Sequence, residues 1–265
     1  MNEHSLDRKN IFWNTLGTGI NAFNSLFLMI IVTRINGVDA AGIFTFAFSI
    51  STLFNIIGVY SGRVYQVTDQ SKLSDSDYLI CKILTCVLMF VISFLFVLVN
   101  HYDTYKLLII IILCLLRTFE AFSEVLYAYY QKKNQLYKVG FSLFIKNIFI
   151  LLVFFIVNLL SKNLFLSVTC ITIAYLIIMI FYDMKILKIN KISIKKFKKE
   201  HILIFFKEGF PTFCLTFLTL LLINIPRYII DLKLTNELNT IWGIIIMPAT
   251  IMILLGQFFL HPFLM

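Results

Sequence analysis

The chain has 265 residues, is 60% hydrophobic, has a mean hydropathy of +0.89 and carries a net charge of +9. Soluble domains are about 45–50% apolar, so this composition excludes an ordinary soluble enzyme or binding module. About 20 mostly apolar residues cross a hydrocarbon core of ~30 Å, and eight stretches qualify: residues 11–32, 42–60, 79–100, 107–130, 138–160, 164–182, 202–223 and 240–263. The runs are continuous and not alternating, which predicts an all-α polytopic membrane protein with about 8 transmembrane helices.

The first span follows a short polar tail, NEHSLDRKN, and lacks a small-residue cleavage site, so it is expected to remain. It carries a polar stripe, Asn14, Thr18, Asn21 and Ser25, with Gly17, Gly19 and Asn24 nearby. The 4, 3, 4 spacing puts the stripe on one face, suited to tight helix packing or to hydrogen bonding a sugar in a cavity. The second span runs from Gly42 to Gly58, and Arg63 and Lys82, which follow it, read as anchors near the inner surface.

The fourth span is the anomaly: CLLRTFEAFSEVLYAYY sets Arg117, Glu120, Glu124 and Tyr127 on one helical face. One charge at mid-bilayer costs roughly 2.5–3.5 kcal/mol on insertion scales, so three must face protein or water and be paired. Arg117 and Glu120 are three residues apart. The second expected partner is Lys146 in the fifth span, which lies about 12 Å from the cytosolic end. Glu120 and Glu124 lie about 15 and 9 Å from that end, so the depths match. Such a cluster serves either as a salt bridge locking two helices or as a hydrated cavity wall meeting an anionic ligand or carrying protons.

A basic loop at residues 183–201 separates six spans from the last two, and its lysines suit contact with anionic lipid better than nucleic acid. The expected organisation is a six-helix lobe at residues 1–182, the basic cytosolic loop at 183–201, and the first two helices of a second lobe at 202–265. In the seventh span Lys207 and Glu208 read as a snorkelling pair at the cytosolic end. All four prolines, Pro211, Pro226, Pro248 and Pro262, fall in the final part, predicting kinks in spans seven and eight. A faint repeat relates GIFTFAFSISTLFNIIG from Gly42 to TIWGIIIMPATIMILLG from Thr240 at one constant offset. If it holds, a second unit starts near residue 202 and stops after two helices. The abrupt ending HPFLM fits an incomplete chain.

Orientation follows from charge. The tail and the loops after spans two, four and six hold fourteen Lys and Arg, against five on the other side. That places the N-terminus in the cytosol. The five cysteines all lie inside predicted helices and imply neither disulfides nor a metal site. The chain holds no Walker A loop, zinc spacing or G-x-S-x-G motif, so neither an enzyme nor an ATP-driven pump is expected, and no cofactor.

Three runs carry a family resemblance: NTLGTGINAFNSLFLMIIVTRINGVDAAGIFTFAF, AFSEVLYAYYQKKNQLYKVGFSLFIK, and FPTFCLTFLTLLLINIPRYIIDLKL followed by IIIMPATIMILLGQFFLHPFL. Together they resemble bacterial O-antigen and capsule repeat-unit flippases of the Wzx type, in the multidrug/oligosaccharidyl-lipid/polysaccharide exporter superfamily. The resemblance implies two six-helix lobes, of which this chain holds one and the start of another. It implies transfer of undecaprenyl-diphosphate-linked oligosaccharide from the cytosolic to the periplasmic leaflet of the bacterial inner membrane, by alternating access, for lipopolysaccharide O-antigen or capsule. By that analogy Arg117 and Lys146 line a cationic cavity, Glu120 and Glu124 couple an ion, and Asn14, Asn21 and Asn24 line the sugar path. Membrane lipids and other polysaccharide-assembly proteins are the further partners implied. The alternatives are a membrane glycan polymerase or ligase of the same pathway, and a truncated flippase fragment without activity. A polymerase usually has a large periplasmic loop, whereas the longest loops here, 61–78 and 183–201, fall on the cytosolic side.

Overall fold

A computed structural model describes residues 3–68, 73–189 and 199–260. It holds ten α-helices and no strand among the described residues. They are α1 (Glu3–Ile35), α2 (Val38–Val59), α3 (Gly62–Thr68), α4 (Asp75–Val99), α5 (Thr104–Lys132), α6 (Leu136–Ser161), α7 (Leu164–Ile178), α8 (Lys185–Ile189), α9 (Lys199–Lys233) and α10 (Asn236–Leu260). A π-helical turn, Met179–Asp183, follows α7 and ends at the fully buried Asp183.

Six segments are long and apolar enough to cross a membrane: Leu6–Ile35, Val38–Val59, Asp75–Val99, Leu136–Ser161, Leu164–Leu187 and Glu200–Lys233. They fit a multi-pass membrane protein. The expected count of about eight is met only in part. The two remaining predicted spans correspond to α5, which carries Arg117, Glu120 and Glu124, and to α10, whose final residues' side chains lie outside the description. The expected loop at 61–78 contains α3 and the start of α4. The loop at 183–201 contains α8 and the start of α9, and its centre, residues 190–198, lies outside the described residues, as do Lys72 and Pro262. Pro211 and Pro226 both sit inside an uninterrupted α9.

The helices are apolar inside out. Along α4 the exposed stripe is Ile83, Val87, Val91, Phe94 and Leu98, while the buried face holds Lys82, Thr85, Cys86, Met89 and Ser93. Along α6 the exposed residues include Phe149, Leu152, Phe155 and Ile156, and the buried face holds Gly140, Ser142, Lys146, Asn147 and Asn158. A soluble helix would bury the first set and expose the second; lipid reverses the pattern because it rewards an apolar exterior and leaves polar groups to pair within.

The chain divides into two compact units. The first unites Met1–Phe46, Asn134–Ala174 and Arg227–Met265; the second unites Ala47–Lys133 and Tyr175–Pro226.

In the first unit, α1 and α6 lie parallel and in register. Asn10 donates to Asn134 Oδ1 at 3.1 Å, Asn24 to Asn147 Oδ1 at 2.7 Å, and Asn158 to Asn36 Oδ1 at 2.6 Å. Each step forward along α1 is matched by a step forward along α6. Between the amide pairs the backbones touch: a Cβ added to Gly17 would fall 2.1 Å from Gly140 O. In the same unit α10 starts beside α2. Thr240 Oγ1 donates to Val38 O at 2.7 Å, and Asn236 Nδ2 to Asp39 Oδ1 at 3.2 Å. About two turns further along each helix, a Cβ on Gly243 would lie 3.6 Å from Thr45 Cγ2, so both helices leave their shared starting level in the same direction.

In the second unit, α4 and α5 form an antiparallel pair. Tyr129 and Lys132 reach Asp75 at one end (2.6 and 2.9 Å), and Cys86 Sγ lies 3.7 Å from Thr118 O midway. Gly58 of α2 fits against this pair, where a Cβ would meet Met89 Sδ at 2.8 Å and Ala121 Cβ at 2.9 Å.

Candidate functional site

Among the residues singled out in the sequence, Arg117, Glu120 and Glu124 fall in the second unit, and Asn14, Asn21, Asn24 and Lys146 in the first. Each group is described within its own unit.

In the second unit the expected pairing inside α5 is present: the Arg117 guanidinium donates to Glu120 Oε2. Its other arm donates to Thr52 Oγ1 of α2 at 3.1 Å, and its plane stacks 4.4 Å from the Phe48 ring. One helical turn along, Glu124 Oε2 stands 3.9 Å from Arg63 Nε of α3. The side chains of this group are only 16–31% exposed, Arg117 the least and Glu124 the most. Asn55, less than one turn beyond Thr52, keeps a buried amide oxygen without a hydrogen-bond partner among the described residues. Ser123 Oγ accepts from the Tyr175 hydroxyl at 3.2 Å, and Tyr175 lies within electrostatic range of Glu120, Glu124 and Asp183.

The floor of this arrangement is Lys82, nearly fully buried on α4. Its ammonium donates to the last carbonyls of α2, Gly58 O at 3.2 Å and Val59 O at 2.6 Å, and Thr85 Oγ1 donates to Gly58 O at 2.9 Å. A cation on the final carbonyls of a helix meets the negative end of its dipole and satisfies acceptors that have no intrahelical partner. Arg63 and Lys82 had read as surface anchors; the structure makes both part of the cluster. The signal available was the polar face of α4, where Lys82, Thr85, Met89 and Ser93 recur at helical spacing.

The second unit holds two further polar contacts. Asp77 is buried, accepts from the Ser74 backbone and hydroxyl at 2.9 and 2.6 Å, and meets His201 Nδ1 of α9 at 2.7 Å. Glu208, read as a snorkelling residue, accepts from the Tyr65 hydroxyl at 2.8 Å.

In the first unit, Asn21 and Asn24 are both engaged with Asn147 of α6, at 3.1 and 2.7 Å. Asn14 keeps a buried amide oxygen with no hydrogen-bond partner among the described residues. Lys146 is fully buried. Sequence reasoning found the stripe on α1 and missed its complement, Asn147 and Asn158 on α6 and Asn134 in the turn just before it, at intervals of 13 and 11 residues.

This chemistry suits electrostatic recognition. Two guanidinium groups, one ammonium and two carboxylates are brought together by four helices of the second unit. Among the described residues no group of three metal-ligating side chains is assembled. Cys81, Cys86 and Cys114 are free and buried.

The Arg117–Glu120 pair gives a direct test of what the cluster contributes. Arg117→Met leaves Glu120 half-buried without its cation and is expected to cost about 2–3 kcal/mol. Adding Glu120→Gln removes the stranded charge and should recover more than half of the loss, read by thermal unfolding in detergent. A double variant as unstable as Arg117→Met alone would assign the loss to the Thr52 and Phe48 contacts instead.

No family model matches the chain, and no solved structure matches it. It is 29% identical over 171 residues to the capsular polysaccharide biosynthesis protein CapF of Staphylococcus aureus. The aligned part covers 62% of this chain and 42% of CapF, so the chain spans less than half the length of that relative.

Proposed function

We propose that the protein takes part in bacterial polysaccharide biosynthesis as a flippase, moving undecaprenyl-diphosphate-linked repeat units from the cytosolic to the outer leaflet of the plasma membrane. Similarity to a capsular polysaccharide biosynthesis protein supports the pathway. The observation that carries the activity is the Arg117–Glu120 and Arg63–Glu124 cluster inside a membrane helix unit. Intramembrane charge is expensive and marks the path of a polar or ionic substrate. No covalent chemistry is required of such a protein: alternating exposure of a charged site to the two leaflets suffices.

The same reading gives α5 and α10 as further spans, for a total of eight. Parallel helices must be separated by an odd number of crossings. Between the parallel α1 and α6 lie α2 and α4, which qualify as spans, so α5 supplies the third. Between the parallel α2 and α10 lie α4, α5, α6, α7 and α9, again an odd number only when α5 crosses. The parallel α2 and α10 also suit the internal repeat, as the second helices of two lobes related about an axis along the membrane normal. The excess of Lys and Arg in the tail and alternate loops supports an N-terminus in the cytosol.

Deleting the gene separates flippase from polymerase. Loss of a flippase is expected to leave lipid-linked repeat units in the cytosolic leaflet and no surface polysaccharide. Single repeat units displayed on the outer surface of the deletion strain would instead assign the protein to polymerisation.

A further inference from the structure

The two arginines of the cluster are not equivalent. Arg117 is engaged through both terminal nitrogens: Glu120 takes one arm, Thr52 Oγ1 the other, and Phe48 covers the face. Arg63 is not. Its contact to Glu124 is 3.9 Å at Nε, beyond hydrogen-bond reach, and its Nη1 is buried with no partner among the described residues. A guanidinium offers five donors in a planar fork, and a buried donor without an acceptor is costly to maintain.

The backbone beneath Arg63 is nevertheless firmly held. Tyr60 and Gly62, at φ +50 and +76, turn the chain from α2 into α3. The Lys82 and Thr85 bonds pin the end of α2 just before that turn. The Tyr60 ring stacks on Phe205 and Phe213 at 5.5 and 5.0 Å, and its hydroxyl donates to Phe206 O at 2.8 Å. The result is a preorganised base with an under-used cation on it.

We propose that Arg63 is the residue that takes the phosphate group of an anionic lipid, exchanging Glu124 for it, while Arg117 stays locked to Glu120. The assignment rests on the flippase reading for the identity of that lipid. A phosphate presents several acceptor oxygens and can take Nη1 together with Nη2 as an end-on fork, whereas Glu124 stands 3.9 Å from Nε and reaches no nitrogen at bonding distance. Glu124 is then a competitor for the guanidinium. The groups facing it are Arg63 of α3, Lys82 of α4 and Tyr175 of α7, with Glu120 one turn away on α5. The Lys82 donors are already given to the α2 carbonyls, so Arg63 is the cation of this group left to move.

The experiment uses the whole chain in phosphatidylcholine nanodiscs, titrated calorimetrically with farnesyl diphosphate and, separately, with dihexanoyl phosphatidylglycerol. Arg63→Gln is expected to weaken farnesyl diphosphate binding by about 10- to 100-fold. Glu124→Gln removes the competitor and should tighten it about threefold or more, which a merely structural ion pair would not do. Lys132→Gln, which breaks the ion pair with Asp75 outside the cluster, should bind within about threefold of the parent. Unchanged binding by Arg63→Gln, or equal loss in Lys132→Gln, overturns the assignment while leaving the flippase reading intact. Arg63-dependent binding of phosphatidylglycerol without farnesyl diphosphate binding keeps Arg63 and removes the isoprenyl diphosphate substrate. Binding of neither probe by the parent overturns Arg63 as a phosphate site.

Discussion

Gly140→Ala will be among the most destabilising single substitutions in the chain, by about 3–5 kcal/mol. A Cβ at Gly140 falls 2.1 Å from Trp13 O and 2.5 Å from Asn14 N, both backbone atoms that no rotamer change can move. Carbon and oxygen need more than about 3 Å, so α1 and α6 must separate by about 1 Å along the seam. That separation stretches the Asn24–Asn147 bond of 2.7 Å and the Asn10–Asn134 bond of 3.1 Å, on either side of the clash. The clash alone is worth about 1–3 kcal/mol, and strained amide bonds with no water to replace them bring the expected loss to about 3–5 kcal/mol. Thermal unfolding in detergent measures it, with Leu152→Ala, on the exposed face of α6, as the control. A Gly140→Ala protein that stays monodisperse with the control's Tm would mean the two backbones are not in contact.

How far this seam could be read in advance illustrates what local sequence carries. Gly17 and the asparagines of α1 were legible as a packing stripe because the 4, 3, 4 spacing is a property of one helix. Asn147 as their partner was not, since it lies more than 120 residues away and only the parallel register brings it there. Within the described residues the eight apolar runs all fall on helices because hydropathy acts locally. Several helices start before their apolar run, and α9 extends at both ends, from Lys199 to Lys233 where the run covered 202–223, since a helix does not stop where lipid does. Within the cluster, Arg117 and Glu120 were found from a spacing of three. The Arg63–Glu124 approach depends on a seven-residue helix with almost no apolar signal, folded back by the two positive-φ residues Tyr60 and Gly62.

Lys82→Glu will be far more damaging than Lys82→Met, and the difference isolates what the buried ammonium does. Methionine removes a charge whose burial in the membrane costs roughly 2.5–3.5 kcal/mol, a gain to the folded protein. Against it stands Val59 O, left without its 2.6 Å donor; Gly58 O keeps Thr85 Oγ1. One buried acceptor without a partner costs about 1–3 kcal/mol, and loss of a cation at the end of α2 adds about 0.3–1 kcal/mol. The terms nearly cancel, so Lys82→Met should fold with a stability within about 2 kcal/mol of the parent. Glutamate reverses every sign: a carboxylate would face the carbonyls of Gly58 and Val59 at the negative end of the helix dipole, with Glu124 near enough to repel it. Its cheapest escape is to bind a proton, and otherwise the end of α2 must detach from α4, releasing the turn that carries Arg63. Expression and thermal unfolding of the three proteins side by side decide it. Glutamate tolerated as well as methionine would mean that the ammonium fills space at this position and holds nothing.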